Sequence, residues 1–171
     1  MNRKVRIAGV VKESIVDGPG IRFVVFAQGC HHHCDGCHNP ATHDFKSGNL
    51  VDVEAIIDEM KKNPLLDGIT LSGGEPFEQA EGFCELARRS KELGYHVMTY
   101  TGYTYESLLE KKDARRLGLL ENTDLLVDGK FEVENKSLML KFRGSKNQRI
   151  IDVNKSRQQN QVILSEIGVG I

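Results

Sequence analysis

The segment from Ile21 to Ala27 is a nearly continuous apolar run. Such a run predicts a strand buried on both faces, and it delivers the chain directly into Gly29 and Cys30. Val53, Ile56, Ile57 and Met60 then recur at helical spacing behind Asp52, which stands where an N-cap belongs, and Pro64 follows the end. Next come a strand at Ile69 to Ser72, a helix from about Gln79 to Leu93 stopped by Gly94, and a strand from Tyr95 to Thr101. A third helix near Tyr105 to Lys112 leads toward a strand at Asp124 to Val127. This βαβα order predicts an α/β fold with a mainly parallel sheet and right-handed crossovers. The first few residues and the tail beyond Asp152 carry no pattern that assigns an element.

A chain of 171 residues with 39% hydrophobic content buries one sizeable core, and nothing in it suggests a second domain, so residues 1–171 read as a single domain. A complete eight-fold βα barrel needs about 250 residues. An open, partial barrel is therefore expected, with its reactive groups at the C-terminal ends of the strands. Cys30, Glu75, Thr101 and Asp128 each fall at or just past a predicted strand end. The formal net charge of -1 provides no global field toward nucleic acid or a membrane surface. No apolar run approaches membrane-span length, and the N-terminal MNRKVRIAGV lacks a signal-peptide core with a cleavage site. A cytoplasmic location is expected, where thiols stay reduced. The stretch from Lys130 to Arg157 is rich in lysine and arginine; it is either a docking face or, more ordinarily, a solvated surface.

The chemistry concentrates in GCHHHCDGCHN, Gly29 to Asn39, where Cys30, Cys34 and Cys37 are spaced as CxxxCxxC. Three thiolates on one short loop can hold three irons of a cubane cluster and leave the fourth without a protein ligand. Zinc is the competing reading, because His31, His32, His33, His38 and His43 offer a fourth ligand. Against zinc, no second clip occurs elsewhere, and so compact a loop closes poorly around a tetrahedral ion. A disulfide framework is weaker, since a chain of this length needs no staples. A second segment, GITLSGGEPF from Gly68 to Phe77, reads as a strand ending in a glycine turn. There Gly73 and Gly74 let the backbone approach a ligand closely, and Glu75 adds a carboxylate. Alone, this GGE is equally a tight strand-to-helix turn.

Together, CxxxCxxC followed by GGE resembles the radical S-adenosylmethionine (SAM) superfamily. Further segments narrow the resemblance. SIVDGPGIR from Ser14 to Arg22, and the CHN of Cys37, His38 and Asn39, are similar to members that install glycyl radicals in partner enzymes. YTGYTYE from Tyr100, DLLVDGKFE from Asp124 and RGSKNQRI from Arg143 resemble the activating proteins of anaerobic, class III, ribonucleoside-triphosphate reductase. The similarity runs from about Ser14 to about Asp152.

The resemblance implies an open partial (βα) barrel of the radical SAM type and two cofactors, a 4Fe-4S cluster on Cys30, Cys34 and Cys37 and SAM at its open iron. It implies SAM contacts from Gly73, Gly74 and Glu75, whose carboxylate should take the SAM ammonium, and from His38 and Asn39 near the cluster. Thr101, beside Gly102, and Asp128, near Lys130, stand at strand ends where relatives place SAM contacts; Asp128 alternatively caps the turn before Gly129. Some relatives carry an aspartate where this chain has Tyr100, which puts a cation site built on that acid in doubt. The implied activity is reductive cleavage of SAM and hydrogen abstraction from a glycine of the reductase. No side chain need act as a general acid or base, and a low-potential donor such as a flavodoxin or ferredoxin would supply the electron. Activase of a different glycyl-radical enzyme, a small-molecule radical SAM enzyme and a zinc interaction module remain as alternatives. Cys84, on a helix beside Phe83, reads as a small buried hydrophobe, and His31, His32 and His33 as solvated positions between ligands.

Overall fold

A computed structural model describes residues 3–30, 32, 44, 46–137 and 140–168. Its strands are β1 (Lys4–Ser14), β2 (Arg22–Ala27), β3 (Asn49–Asp52), β4 (Gly68–Gly73), β5 (His96–Tyr100), β6 (Leu125–Asp128) and β7 (Arg149–Asp152). Its helices are α1 (Val53–Lys61), α2 (Ala80–Glu92), α3 (Tyr105–Glu110), α4 (Ala114–Glu121) and α5 (Val153–Gln159). The strands form one sheet in the order β3-β1-β2-β4-β5-β6-β7, which does not close into a barrel among the described residues. β2, β4, β5 and β6 run parallel, whereas β1 is antiparallel to β2 and β7 to β6. The expected mainly parallel, unclosed α/β architecture is what the chain forms. The antiparallel strands at its flanks were not legible in the apolar pattern.

The pleat sorts side chains by face. Phe23, Val25, Ile69, Leu71, Val97 and Leu126 turn to the helical layer, where Ile56, Ile57 and Met60 of α1, Phe83 and Leu86 of α2 and Leu119 of α4 bury them. The opposite face has a small apolar cluster, Met98, Leu125, Val127 and Ile150, with Tyr100 and Phe142 packed against it. α1 begins at Asp52 as expected, but the Asp52 side chain makes no capping bond; the Val53 amide donates instead to the Arg3 carbonyl at 2.9 Å.

That second face also contains Arg22, fully buried at the start of β2. Its Nε donates to Thr70 Oγ1 at 2.7 Å, Nη1 to the Pro19 carbonyl at 2.8 Å, and Nη2 to the Ile69 and His96 carbonyls at 2.8 and 3.1 Å. Nη2 also reaches His96 Nδ1 at 3.0 Å. All these partners are neutral, and burial lowers the guanidinium pKa to about 10, which leaves it charged at neutral pH. A guanidinium only donates, so Nδ1 of His96 is the accepting nitrogen and the ring is neutral.

Burial, and after it the Arg22 charge and Lys91, pull the His96 pKa below the ordinary imidazole range, against the opposing pull of Asp124 and Asp152. The unfolded chain therefore takes up this proton at a higher pH than the folded one. The His96 contribution to stability is present above the unfolded imidazole pKa, about 6.5, and is lost as pH falls below it. Urea midpoints are expected to drop between pH 7.5 and 5.5, and His96→Asn, whose amide oxygen can still accept from Arg22, is expected to make that drop shallower. Equal drops in parent and variant would remove His96 from the account.

Candidate active site

The C-terminal ends of the parallel strands converge on a cavity of about 380 Å³, lined by Cys30 and His32 after β2, Ser72, Gly73 and Gly74 at the end of β4, and Tyr100, Thr101 and Gly102 at the end of β5. This volume lies within the range of about 300 to 1,000 Å³ common for small-molecule sites. Phe26, Phe131, Leu140 and Phe142 make much of the remaining wall apolar. The Tyr100 hydroxyl donates to the Phe142 carbonyl at 2.6 Å and so ties that wall to β5. Burial raises the Tyr100 pKa and keeps the phenol protonated. The phenol is thus committed to the wall.

The glycine pair has a local cause. Gly73 sits at φ +88°, and a Cβ there would lie 2.5 Å from the Ala27 amide nitrogen. A Cβ on Gly74 would lie 2.4 Å from the Gly29 carbonyl oxygen. The Gly74 amide donates to the Ala27 carbonyl and the Glu75 amide to the Gly29 carbonyl, both at 2.7 Å. Side chains at 73 and 74 would separate the end of β4 from the segment that carries Cys30. The sequence suggested close approach to a ligand; the structure adds close approach to the cysteine segment itself.

Glu75 follows directly on this glycine pair. Its carboxylate is fully buried and is not part of the cavity wall. Oε1 is contacted by His32 Nε2 at 2.6 Å, Thr101 Oγ1 at 2.9 Å and the Gly102 amide at 2.8 Å. Oε2 is contacted by Thr101 Oγ1 at 3.0 Å and the Phe77 amide at 3.1 Å. The last contact caps the short 3-10 turn Pro76–Gln79. Both carboxylate oxygens thus accept from protein donors at the strand ends.

Cys30 is buried and lines the cavity, as expected of a ligand at a strand end. Cys34, Cys37, His38 and Asn39 lie outside the described residues. His32 corrects the sequence-based expectation of a solvated position: its side chain is 8% exposed and its ring meets Tyr103 edge-on at 4.7 Å. Asp128, at the end of β6, is not brought into the cavity. Its carboxylate takes Arg149 Nε at 3.0 Å and Nη2 at 2.5 Å, and accepts from the Tyr105 amide at 2.8 Å. Asp128 and Glu106 raise the Arg149 pKa. The Asp128 carboxylate is thus engaged with β7 and the start of α3. His32, Tyr103 and Arg149 are site neighbours that sequence patterning missed, because their partners are distant in the chain.

Residues 16–151 match the family described as a 4Fe-4S single cluster domain. The chain is 37% identical over 144 residues to the anaerobic ribonucleoside-triphosphate reductase-activating protein of Vibrio cholerae, covering 80% of this chain and 90% of that one. It is 36% identical over 128 residues to the pyruvate formate-lyase-activating enzyme of Clostridium pasteurianum, covering 71% of this chain and 50% of that one. Among solved structures, QueE from Escherichia coli aligns over 59% of this chain and 53% of its own, with a TM-score of 0.47 and 14% identity.

Proposed function

We infer the function from the premise that the chain belongs to the 4Fe-4S single cluster domain family and to the anaerobic ribonucleoside-triphosphate reductase-activating proteins. It is a radical SAM enzyme that activates the anaerobic reductase, and its cofactors are a 4Fe-4S cluster and SAM. The chemistry these supply when bound is reductive cleavage of a SAM carbon–sulfur bond and removal of a hydrogen atom from a glycine of the reductase, which leaves a glycyl radical there.

The observation that carries this reading is that Cys30 lines one cavity with Gly73 and Gly74, whose backbone packs on the Phe26–Gly29 segment that leads to it. A thiol in this cavity suits the cluster, with Cys34 and Cys37 as its proposed companions. The backbone of Gly73 and Gly74 and the strand-end residues Thr101 and Gly102, which line the same cavity, are proposed to receive the amino-acid end of SAM. His38 and Asn39 are proposed to join them. Within the cavity the chain orients and shields, and no side chain is assigned proton transfer. The described residues share one sheet, which supports reading residues 1–171 as one radical SAM domain. Among them no helix is long and apolar enough to cross a membrane. A low-potential flavodoxin or ferredoxin as electron donor and a cytoplasmic home, where reduced thiols suit a cluster, complete the proposal.

Mixed anaerobically with class III reductase, SAM and a strong reductant, the protein is expected to generate a glycyl-radical EPR doublet on the reductase. A doublet on pyruvate formate-lyase and none on the reductase would reassign the partner. No doublet with either would point to a small-molecule substrate.

A further inference from the structure

The junction of α3 and α4 reads KKDARR, Lys111 to Arg116, and has no task in the activity as proposed. Lys111, Lys112 and Arg115 are exposed. The one acid among them, Asp113, is engaged locally: it caps α4 by accepting from the Arg115 amide at 2.9 Å and lies 3.6 Å from Arg115 Nε. Lys111 and Lys112 make no ion pair among the described residues.

A run of cations is ordinarily a solvated face. This one is set apart by the ring beneath it. Lys111 Nζ lies 5.3 Å and the Arg116 guanidinium 4.7 Å from the Tyr103 ring centroid. Tyr103 meets the His32 ring edge-on, with centroids 4.7 Å apart, and His32 stands two residues beyond Cys30. A packed path through two rings therefore joins the cationic surface to the Cys30 end of the cysteine loop. His32 lines the cavity, whereas Tyr103 and the four cations do not, so the path reaches Cys30 from outside the space that SAM fills. The basic stretch from Lys130 to Arg157 differs in this respect, because its Phe131, Phe142 and Arg143 line the cavity itself.

We propose that the face carrying Lys111, Lys112 and Arg115 is the docking surface for the electron donor, and that this donor is a small acidic flavoprotein of the flavodoxin class. The proposal rests on the cluster reading of Cys30. Cations at a rim steer an acidic partner and fix its orientation. The Tyr103 ring and Leu109, 42% exposed at the end of α3, add apolar surface that suits the edge of a flavin ring. One electron passes: the flavin hydroquinone anion becomes the neutral semiquinone and the oxidised cluster takes the electron, with no bond made or broken. The donor and the reductase then occupy different faces of the protein.

The test compares the reconstituted parent with two triple variants, Lys111→Glu/Lys112→Glu/Arg115→Glu and Lys111→Gln/Lys112→Gln/Arg115→Gln. Flavodoxin affinity is measured anaerobically by calorimetry at several salt concentrations, and cluster reduction by flavodoxin hydroquinone is followed by visible absorbance. The glutamate variant is expected to bind flavodoxin about tenfold or more weakly at low salt, and the glutamine variant less so. Added salt should weaken the parent complex and leave the glutamate variant with little left to lose. Reduction by flavodoxin should slow in step with affinity. Reduction by dithionite, and the SAM cleavage it drives, should match the parent. If the glutamate variant fails to fold, the glutamine variant carries the test.

Parent-like affinity and salt dependence in both variants would overturn the proposal. Equal slowing with flavodoxin and dithionite would also overturn it, because dithionite needs no docking face. A parent reduced by dithionite but neither bound nor reduced by flavodoxin would overturn the choice of partner. A parent that takes up no 4Fe-4S cluster would instead overturn the reading on which the proposal rests.

Discussion

Replacing Cys30 by serine is expected to leave the anaerobically reconstituted protein without its 4Fe-4S cluster and without glycyl-radical formation, whereas Cys84→Ser keeps both. Cys30 lines the cavity at the end of the β2 segment, where a thiolate can meet a metal and a ligand together. Cys84 packs against the core from α2, with Sγ 3.7 Å from Asn122 Nδ2. Burial pushes its thiol pKa up, away from the thiolate form that binds iron. A serine there can take over the Asn122 contact at small cost. Iron and sulfide analysis, together with the brown absorbance of the cluster, reads the outcome. A cluster lost with Cys84→Ser and retained with Cys30→Ser would reverse the assignment.

The largest effect expected on stability comes from Arg22→Met. Methionine can fill part of the volume but donates nothing, so Thr70 Oγ1, the carbonyls of Pro19, Ile69 and His96, and His96 Nδ1 all lose a donor. Each buried polar group left unsatisfied costs about 1 to 3 kcal/mol, and partial relaxation keeps the total on the order of 3 to 5 kcal/mol. The loss also frees the Asp17–Pro19 turn, which Arg22 holds at Pro19 and Thr70 holds at the Asp17 carbonyl. Val16 and Asp17 of that segment line the cavity, so cofactor binding should weaken with stability. Arg22→Lys is expected to recover little, because a single ammonium cannot reproduce the planar fork. Urea unfolding of the metal-free proteins measures the effect. A loss below about 1 kcal/mol, the worth of one ordinary hydrogen bond, would show that the buried network is dispensable.

The strands buried on both faces, β2, β4, β5 and β6, were legible because burial leaves only apolar choices along them. β1 was not: in KVRIAGVVKES charged residues alternate with apolar ones, and the strand lies near the sheet edge with most of its length partly or fully exposed. β3 and β7 have four residues each, too few to establish a period. α4 was passed over because ARRLGLLE opens on two arginines and contains Gly118, while only Leu119 and Leu120 are fully buried. Strand ends predicted where chemistry would gather, and Cys30, Gly73, Gly74 and Thr101 do meet around one cavity.

Other parts of the site depend on partners far along the chain. Asp128 is occupied by Arg149, Glu75 by His32 and Thr101, and the arginine of SIVDGPGIR by β4 and β5. Sequence spacing shows that such a polar side chain exists but not which group will satisfy it. The histidine run illustrates this: three identical neighbours gave no hint that His32 would be buried against a carboxylate.

The central claim is that this chain removes a hydrogen atom directly from a glycine of the anaerobic reductase. Reductase carrying deuterium on its glycines, incubated anaerobically with this protein, SAM and a strong reductant, tests it most directly, with the 5'-deoxyadenosine product examined by mass spectrometry. Direct abstraction predicts one deuterium in the nucleoside and an EPR doublet on the reductase that collapses toward a singlet where the remaining glycine hydrogen is deuterium. SAM cleavage with no deuterium in 5'-deoxyadenosine and no radical on the reductase would contradict it.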